Sequence, residues 1–273
     1  MDKYQISKED LITYLNHGLS SRDIEKITGI RYWNILYYIQ QYGIKEYNHY
    51  SKKDYNIHFF DKVDTKEKAY ILGLFLGDGH ITKDNKFEMN IQRRDEEILK
   101  FVDKNIGCGY RIDNRKNEAK KKFPQCSIKL CDQVFVRNLK RLFGGRLKAE
   151  RHIPIIKKDL ERYMVLGFFD AKGCVTWGWR KDRNRIWQKI SFTSQYQMLV
   201  GIQNILDKNG ISSRLRPKSK EQCYIIEICD KNRVLQFLDY IYPNDEFIVL
   251  KRKYEKQYAL RLELGEFGES LVG

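Results

Sequence analysis

Two short stretches hold the residues whose types and spacing could do chemistry. Asp78 closes an apolar run from Tyr70 to His80, and Asp170 and Lys172 close a second run from Met164 to Cys174, 94 positions further on. In each run two small residues stand four apart, Gly73 with Gly77 and Gly167 with Ala171. On a helix that spacing puts both on one face, where another backbone can come close. Two mutually packed helices are expected, each ended by a glycine, Gly79 or Gly173, in a left-handed cap. A carboxylate at a helix C-terminus faces the negative end of the macrodipole, which favours a cation beside it. The acids at these ends therefore hint at a metal site.

An apolar run with small residues is more often plain core than active site. Here it occurs twice, with similar text after each copy, which points to duplication. After the first run, Asp84 to Lys86 reads as a hairpin turn, and Phe87, Met89 and Ile91 alternate with Glu88, Asn90 and Gln92. A helix near 95–105, strands near 110–116 and 125–130, and a helix near 132–143 complete an αββαββα unit. The second half repeats the order: a strand with Val175, Trp177 and Trp179 on one face, a strand from Ile186 to Thr193, a helix near 197–207, strands near 213–218 and 223–229, and a helix near 231–242. Ser127 to Asp132 against Ile225 to Asp230 is the clearest internal match. The fold class is α+β, with two pseudo-symmetric halves, residues 67–153 and 154–260, and a tail at 261–273.

Residues 1–45 read as a separate helical module. Ser7 opens a helix with Leu11, Ile12 and Leu15; a short second helix carries Ile24 and Ile27; after Gly29 a third presents Trp33, Leu36 and Tyr37 on one face. The order fits helix-turn-helix spacing, with Arg31, Tyr32 and Asn34 facing bases, and equally a cap that only packs on the next domain. Residues 46–66, with Tyr47, His49, Lys52, Lys53 and Tyr55, read as a basic linker that could lie along phosphates.

The 273 residues carry a formal charge of +15, a pI near 9.4 and 18 tyrosines, a balance that favours a polyanionic partner. No apolar run is long enough to span a bilayer, which leaves a soluble protein. Six cysteines without CxxC or zinc-finger spacing read as small residues of a reduced compartment.

The paired motifs resemble those of the LAGLIDADG homing endonucleases in their single-chain, two-motif form, over roughly residues 66–260. The resemblance implies two sheets forming a saddle on a long, specific double-stranded DNA site, and hydrolysis of phosphodiester bonds with Mg2+ or Mn2+ by a monomer. It implies metal ligation by Asp78 and a main-chain oxygen, taken as that of Gly77, with Asp170 and Ala171 as the second-half candidates. Aligning Gly173 with Gly79 puts Lys172 opposite Asp78, a departure from the pattern, because a protonated lysine cannot ligate magnesium. Gln92 and Lys129 match the family's polar strand residue and lysine; their second-half partners are Thr193 or Gln195, by hairpin register, and Glu227. Lys172 is counted with them as a catalytic candidate that could neutralise a scissile phosphate. Expected DNA contacts are Arg31, Tyr32 and Asn34 in the module; Thr82, Asn90, Arg94, Arg111 and Arg115 in the first half; and Thr176, Arg180, Lys189, Thr193, Gln195, Arg214 and Arg216 in the second. The loss of the second acid leaves open nicking through Asp78, a modified second site, or a binder such as a maturase or regulator that does not cut. An intron-encoded or free-standing gene is favoured over an intein, in the cytoplasm of a phage or bacterial host, with an organelle as the other setting.

Overall fold

The structure, a computed structural model, describes residues 5–16, 19, 21–44, 55–113, 123–218, 223–242 and 247–265. Three helices, α1 (Lys8–Asn16), α2 (Ser21–Thr28) and α3 (Tyr32–Gln41), form the N-terminal module around its own core of Leu11, Leu15, Ile24, Ile30, Ile35 and Ile39. Ser7 caps α1 by accepting the Asp10 N–H at 3.0 Å, and Gly29 takes the left-handed conformation that turns α2 into α3. The third helix is rotated from the expected face. Ile35 and Ile39 are its buried residues, whereas Trp33 and Tyr37 stand 64% and 56% exposed. Ile27 likewise points outward from α2. Ile35 and Ile39 join Leu11, Leu15, Ile24 and Ile30 in the core between the three short helices.

The first half runs α4 (Lys66–Asp78), β1 (His80–Ile81), β2 (Phe87–Gln92), α5 (Glu96–Ile106), β3 (Arg111–Asp113), β4 (Gln125–Leu130) and α6 (Gln133–Phe143). The second runs α7 (Lys158–Lys172), β5 (Gly173–Arg180), β6 (Arg185–Ser194), α8 (Tyr196–Lys208), β7 (Arg214–Pro217), β8 (Tyr224–Ile228) and α9 (Lys231–Ile241). Both sheets are antiparallel and share one order, β1-β2-β4-β3 and β5-β6-β8-β7. Matched caps mark the duplication: the Asp132 carboxylate accepts the Val134 and Phe135 N–H groups at the start of α6, and Asp230 accepts that of Arg233 at the start of α9.

The small residues do what their spacing predicts. A Cβ on Gly73 would land on the Met164 main-chain oxygen, one on Gly167 on that of Tyr70, and one on Gly77 on the Ala171 methyl. Thus α4 and α7 meet backbone to backbone along the axis that joins the halves. The glycines that end them are not left-handed: Gly79 has φ −67° and Gly173 φ −84°. They are required for space, since a side chain would strike the Phe87 or Phe169 ring where the chain leaves for the sheet.

Two boundaries differ from expectation. Tyr55, Phe59 and Phe60 are buried in the core of the first half, and the Tyr55 hydroxyl accepts the Asp132 N–H at 2.9 Å, so this part of the expected linker is packed structure. Past the second unit, a tenth helix among the described residues, α10 (Lys251–Glu263), occupies what read as the end of the half and the start of a tail. Its buried Lys253, Gln257 and Arg261 obscure the apolar periodicity that announces a helix.

Candidate active site at the paired helix ends

Asp78 and Lys172 are the last helical residues of α4 and α7, and Gly79 and Gly173 each donate a main-chain N–H four residues back, to Phe75 and Phe169. The two ends are therefore structural equivalents, and Lys172 stands where symmetry asks for an acid. Its Nζ lies 2.7 Å from the Asp78 Oδ1, with both side chains 29% exposed. A cleft opens on each side of the pair. One, of about 220 Å³, is lined by Asp78, Ala171, Gln92, Asn90 and Arg252; the other by Lys172, Gly77, Gln195, Lys148 and Arg151. Asp78 thus shares its cleft with Ala171 across the axis, not with its own neighbour Gly77.

Asp170 also lines the first cleft, yet its carboxylate is bound inward. It is 4% exposed, its Oδ2 accepts the Tyr70 hydroxyl at 2.8 Å and the Leu250 N–H at 3.1 Å, and burial raises its carboxyl to about 6. Two residues back from Lys172 on an α-helix is a rotation of about 200°, which turns the side chain to the core. Its counterpart there is the buried Leu76. Asp170 accordingly packs through its Oδ2 on Tyr70 and Leu250, at the buried edge of the cleft.

Lys253 of α10 donates to the main-chain oxygens of Phe169 and, at 2.7 Å, Asp170, so a buried ammonium already sits on the C-terminal carbonyls of α7. Burial lowers its pKa to about 8. At the end of α4 the 1% exposed Arg151 donates to the Gly79 oxygen at 2.9 Å, and burial brings its guanidinium to about 10. Lys148 lines the second cleft, its ammonium held below the lysine range by desolvation and by the Lys172 and Arg151 charges. Next to Lys253, Arg252 makes a two-pronged ion pair with Asp95 of the first half, at 2.9 and 3.0 Å. Sequence reading missed these four cations. The basic triplet Lys251 to Lys253, directly after the second unit, was the available signal.

The remaining candidates divide. Pairing of Met89 with Ile128 and Phe192 with Ile226 makes Gln195, not Thr193, the equivalent of Gln92. Both glutamines line clefts. Lys129 is in the sheet, 2.7 Å from Glu88, and lines neither cleft. Glu227 accepts from Lys189 at 3.0 Å and from Arg216 at 2.7 and 3.0 Å. Asn90, Arg94, Arg180 and Arg214 are exposed, and Arg111 and Thr176 half-buried. Thr82 accepts the Lys86 N–H within the hairpin turn, and Thr193 the Lys218 ammonium. Arg115 lies outside the described residues. Arg31, Tyr32 and Asn34 stand at the start of α3.

A divalent ion fits one side only. Among the described residues no three His, Cys, Asp or Glu side chains gather into a cage, but magnesium needs only one or two carboxylates beside water and phosphate. Asp78, facing a cleft with Ala171, meets that need. The opposite side offers a lysine for a carboxylate.

Two αββαββα halves joined through small-residue helices, with an acid at one helix end, make a two-motif α+β architecture. Residues 159–242 match the LAGLIDADG-like domain. The meganuclease I-SmaMI, solved bound to uncleaveable DNA, superposes with a TM-score of 0.52 at 10% identity over 76% of this chain and 94% of its own. The I-LtrWI LAGLIDADG homing endonuclease bound to target DNA gives 0.49 at 13% identity, over 77% and 92%. The homing endonuclease I-WcaI bound to its DNA recognition sequence gives 0.49 at 16%, over 71% and 87%. A search of curated proteins found no match. The chain has the single-chain, two-motif LAGLIDADG fold, and the match to the LAGLIDADG-like domain falls in its second half. No helix of the described residues is long and apolar enough to cross a membrane.

Proposed function

We propose that this chain is a site-specific, metal-dependent DNA endonuclease whose chemistry is confined to the Asp78 side, so that it nicks one strand of its target. The observation that carries this reading is the Asp78–Lys172 pair: the joined helix ends present one carboxylate and one ammonium where a symmetric site would present two carboxylates. A magnesium ion held by Asp78 and the Ala171 main-chain oxygen would activate a water and offset charge on the leaving oxygen. Gln92 lines the same cleft and would orient that water, while Arg252, tied to Asp95, holds the cleft wall to the first half. On the other side Lys172 and Lys148 can hold a phosphate but offer no carboxylate to hold a cation.

A second reading, binding without cleavage, draws on the same ion pair, because Lys172 neutralises the single acid. Both are tested with a supercoiled plasmid carrying the DNA that flanks the reading frame, joined without it, incubated with magnesium. Open-circular product that is lost in Asp78→Asn and becomes linear in Lys172→Asp is the expected result. Linear product from the unaltered protein, or nicking that survives Asp78→Asn, would overturn the one-sided mechanism. Tight, magnesium-independent binding without any product would favour the second reading.

A further inference from the structure

The second-half sheet contains an arginine built differently from its counterpart in the first. Strand β7 alternates Leu215, packed on the core, with Arg214 and Arg216, which face outward. On β8 the buried Ile226 and Ile228 alternate with Glu227, which faces the same way as Arg216. Glu227 grips the side edge of the Arg216 guanidinium: Nε reaches Oε2 at 2.7 Å and Nη2 reaches Oε1 at 3.0 Å. Lys189 shares the Oε1 oxygen at 3.0 Å, which fixes the carboxylate in turn. The glutamate is 10% exposed and the arginine 44%. A side-on pair of this kind uses Nε and one hydrogen of Nη2. It leaves the end edge, Nη1 and the second Nη2 hydrogen, outside the Glu227 contact.

We infer that Arg216, held by Glu227, is a preorganised reader of one guanine in the major groove. The inference rests on the DNA-binding reading above and adds the base. Guanine presents O6 and N7 as two adjacent acceptors, the pattern a guanidinium end edge matches bidentately. Ordinarily a long arginine loses rotamer freedom on such contact; here the ion pair has already removed it. The duplication supplies the contrast. Arg111 pairs with Ser127 as Arg216 does with Ile225, so the two arginines are equivalent. Where the second half has Glu227, the aligned position in the first half is Lys129, so this particular carboxylate belongs to the second half alone. The Arg216 hydrogen bond holds the Glu227 carboxyl below the glutamate range, so the brace stays ionised at neutral pH. The position aligned with the first-half lysine therefore has a recognition role and not a lost catalytic one.

The test is selection from a randomised DNA duplex library by the full-length protein, by Arg216→Ala, by Glu227→Gln and by Arg111→Ala. Circular dichroism confirms that each variant is folded. The inference expects one guanine in the enriched site whose preference falls roughly ten- to a hundredfold in Arg216→Ala. In Glu227→Gln it should fall less and at the same position only, while Arg111→Ala leaves it unchanged. An enriched site whose guanines all survive Arg216→Ala, or a loss spread evenly over the whole site, would overturn the inference and leave the DNA-binding reading standing. Absence of any enriched sequence with the unaltered protein would overturn both.

Discussion

The second motif helix ends in Lys172 where the first ends in Asp78. With Lys172 in the acid position, the α7 end has no carboxylate of its own facing the cleft. Asp170 is buried toward Tyr70 and Leu250, and the negative end of the helix is served by Lys253. Lys253 and Asp170 are both buried and each tends to stabilise the other's charge. Removing one such partner leaves an uncompensated charge, whereas removing both leaves a largely neutral site. Lys253→Met should therefore lower stability by roughly 2–4 kcal/mol, from lost charge-assisted hydrogen bonds and the stranded carboxylate. The double variant with Asp170→Asn should lose less than the two singles added together. Urea unfolding of the four proteins at neutral pH measures the coupling, and simple additivity would show that Lys253 acts only on the main-chain oxygens.

At the scale of elements, the α4–α7 pair is the structural axis, and its glycines admit no side chain. Gly167→Ala puts a methyl onto the Tyr70 main-chain oxygen. The helices must part, and with them both halves of the site. A cost near or above about 3 kcal/mol is expected, the upper end for overpacking, with a matching fall in melting temperature and loss of DNA binding. A variant as stable as the original would show that the helices have room to separate. This axis was legible in the sequence because the constraint is local: two small residues four apart fix a face, and a repeated text fixes the partner. The eight strands and the Asp132 and Asp230 caps were legible for the same reason. What was not legible depends on contacts distant in the chain. Lys253, Arg252 and Arg151 reach the helix ends from segments with no motif of their own, and the inward turn of Asp170 follows from helical rotation once Lys172 fixes the register. Trp33 and Tyr37 lie outside because Leu11, Leu15, Ile24, Ile30, Ile35 and Ile39 already fill the three-helix core, an arrangement that the spacing within α3 does not encode.

Across the whole molecule the positive charge is not evenly shared. The chain carries +15, yet residues 5–44 hold four basic and four acidic side chains. Of the four, Arg22 lies over the Tyr32 ring at 5.5 Å and Lys26 is within 4.0 Å of Asp23. The exposed face beside Arg31 is aromatic, with Trp33 and Tyr37. A module with this charge adds little phosphate neutralisation, whatever it contributes through apolar contact with base edges. Its separate core allows it to be removed without opening the main one. Each phosphate neutralised on duplex DNA contributes about −0.9 to the slope of log affinity against log salt. Full-length protein is expected to show a steep slope, arising from the two sheets. Deletion of residues 1–44 should weaken binding at fixed salt while changing that slope by no more than about one phosphate. Fluorescence anisotropy across a salt series on both proteins measures the difference. A slope that drops by several units on deletion would make the module a phosphate clamp; an unchanged affinity would reduce it to a cap that packs against the rest of the chain.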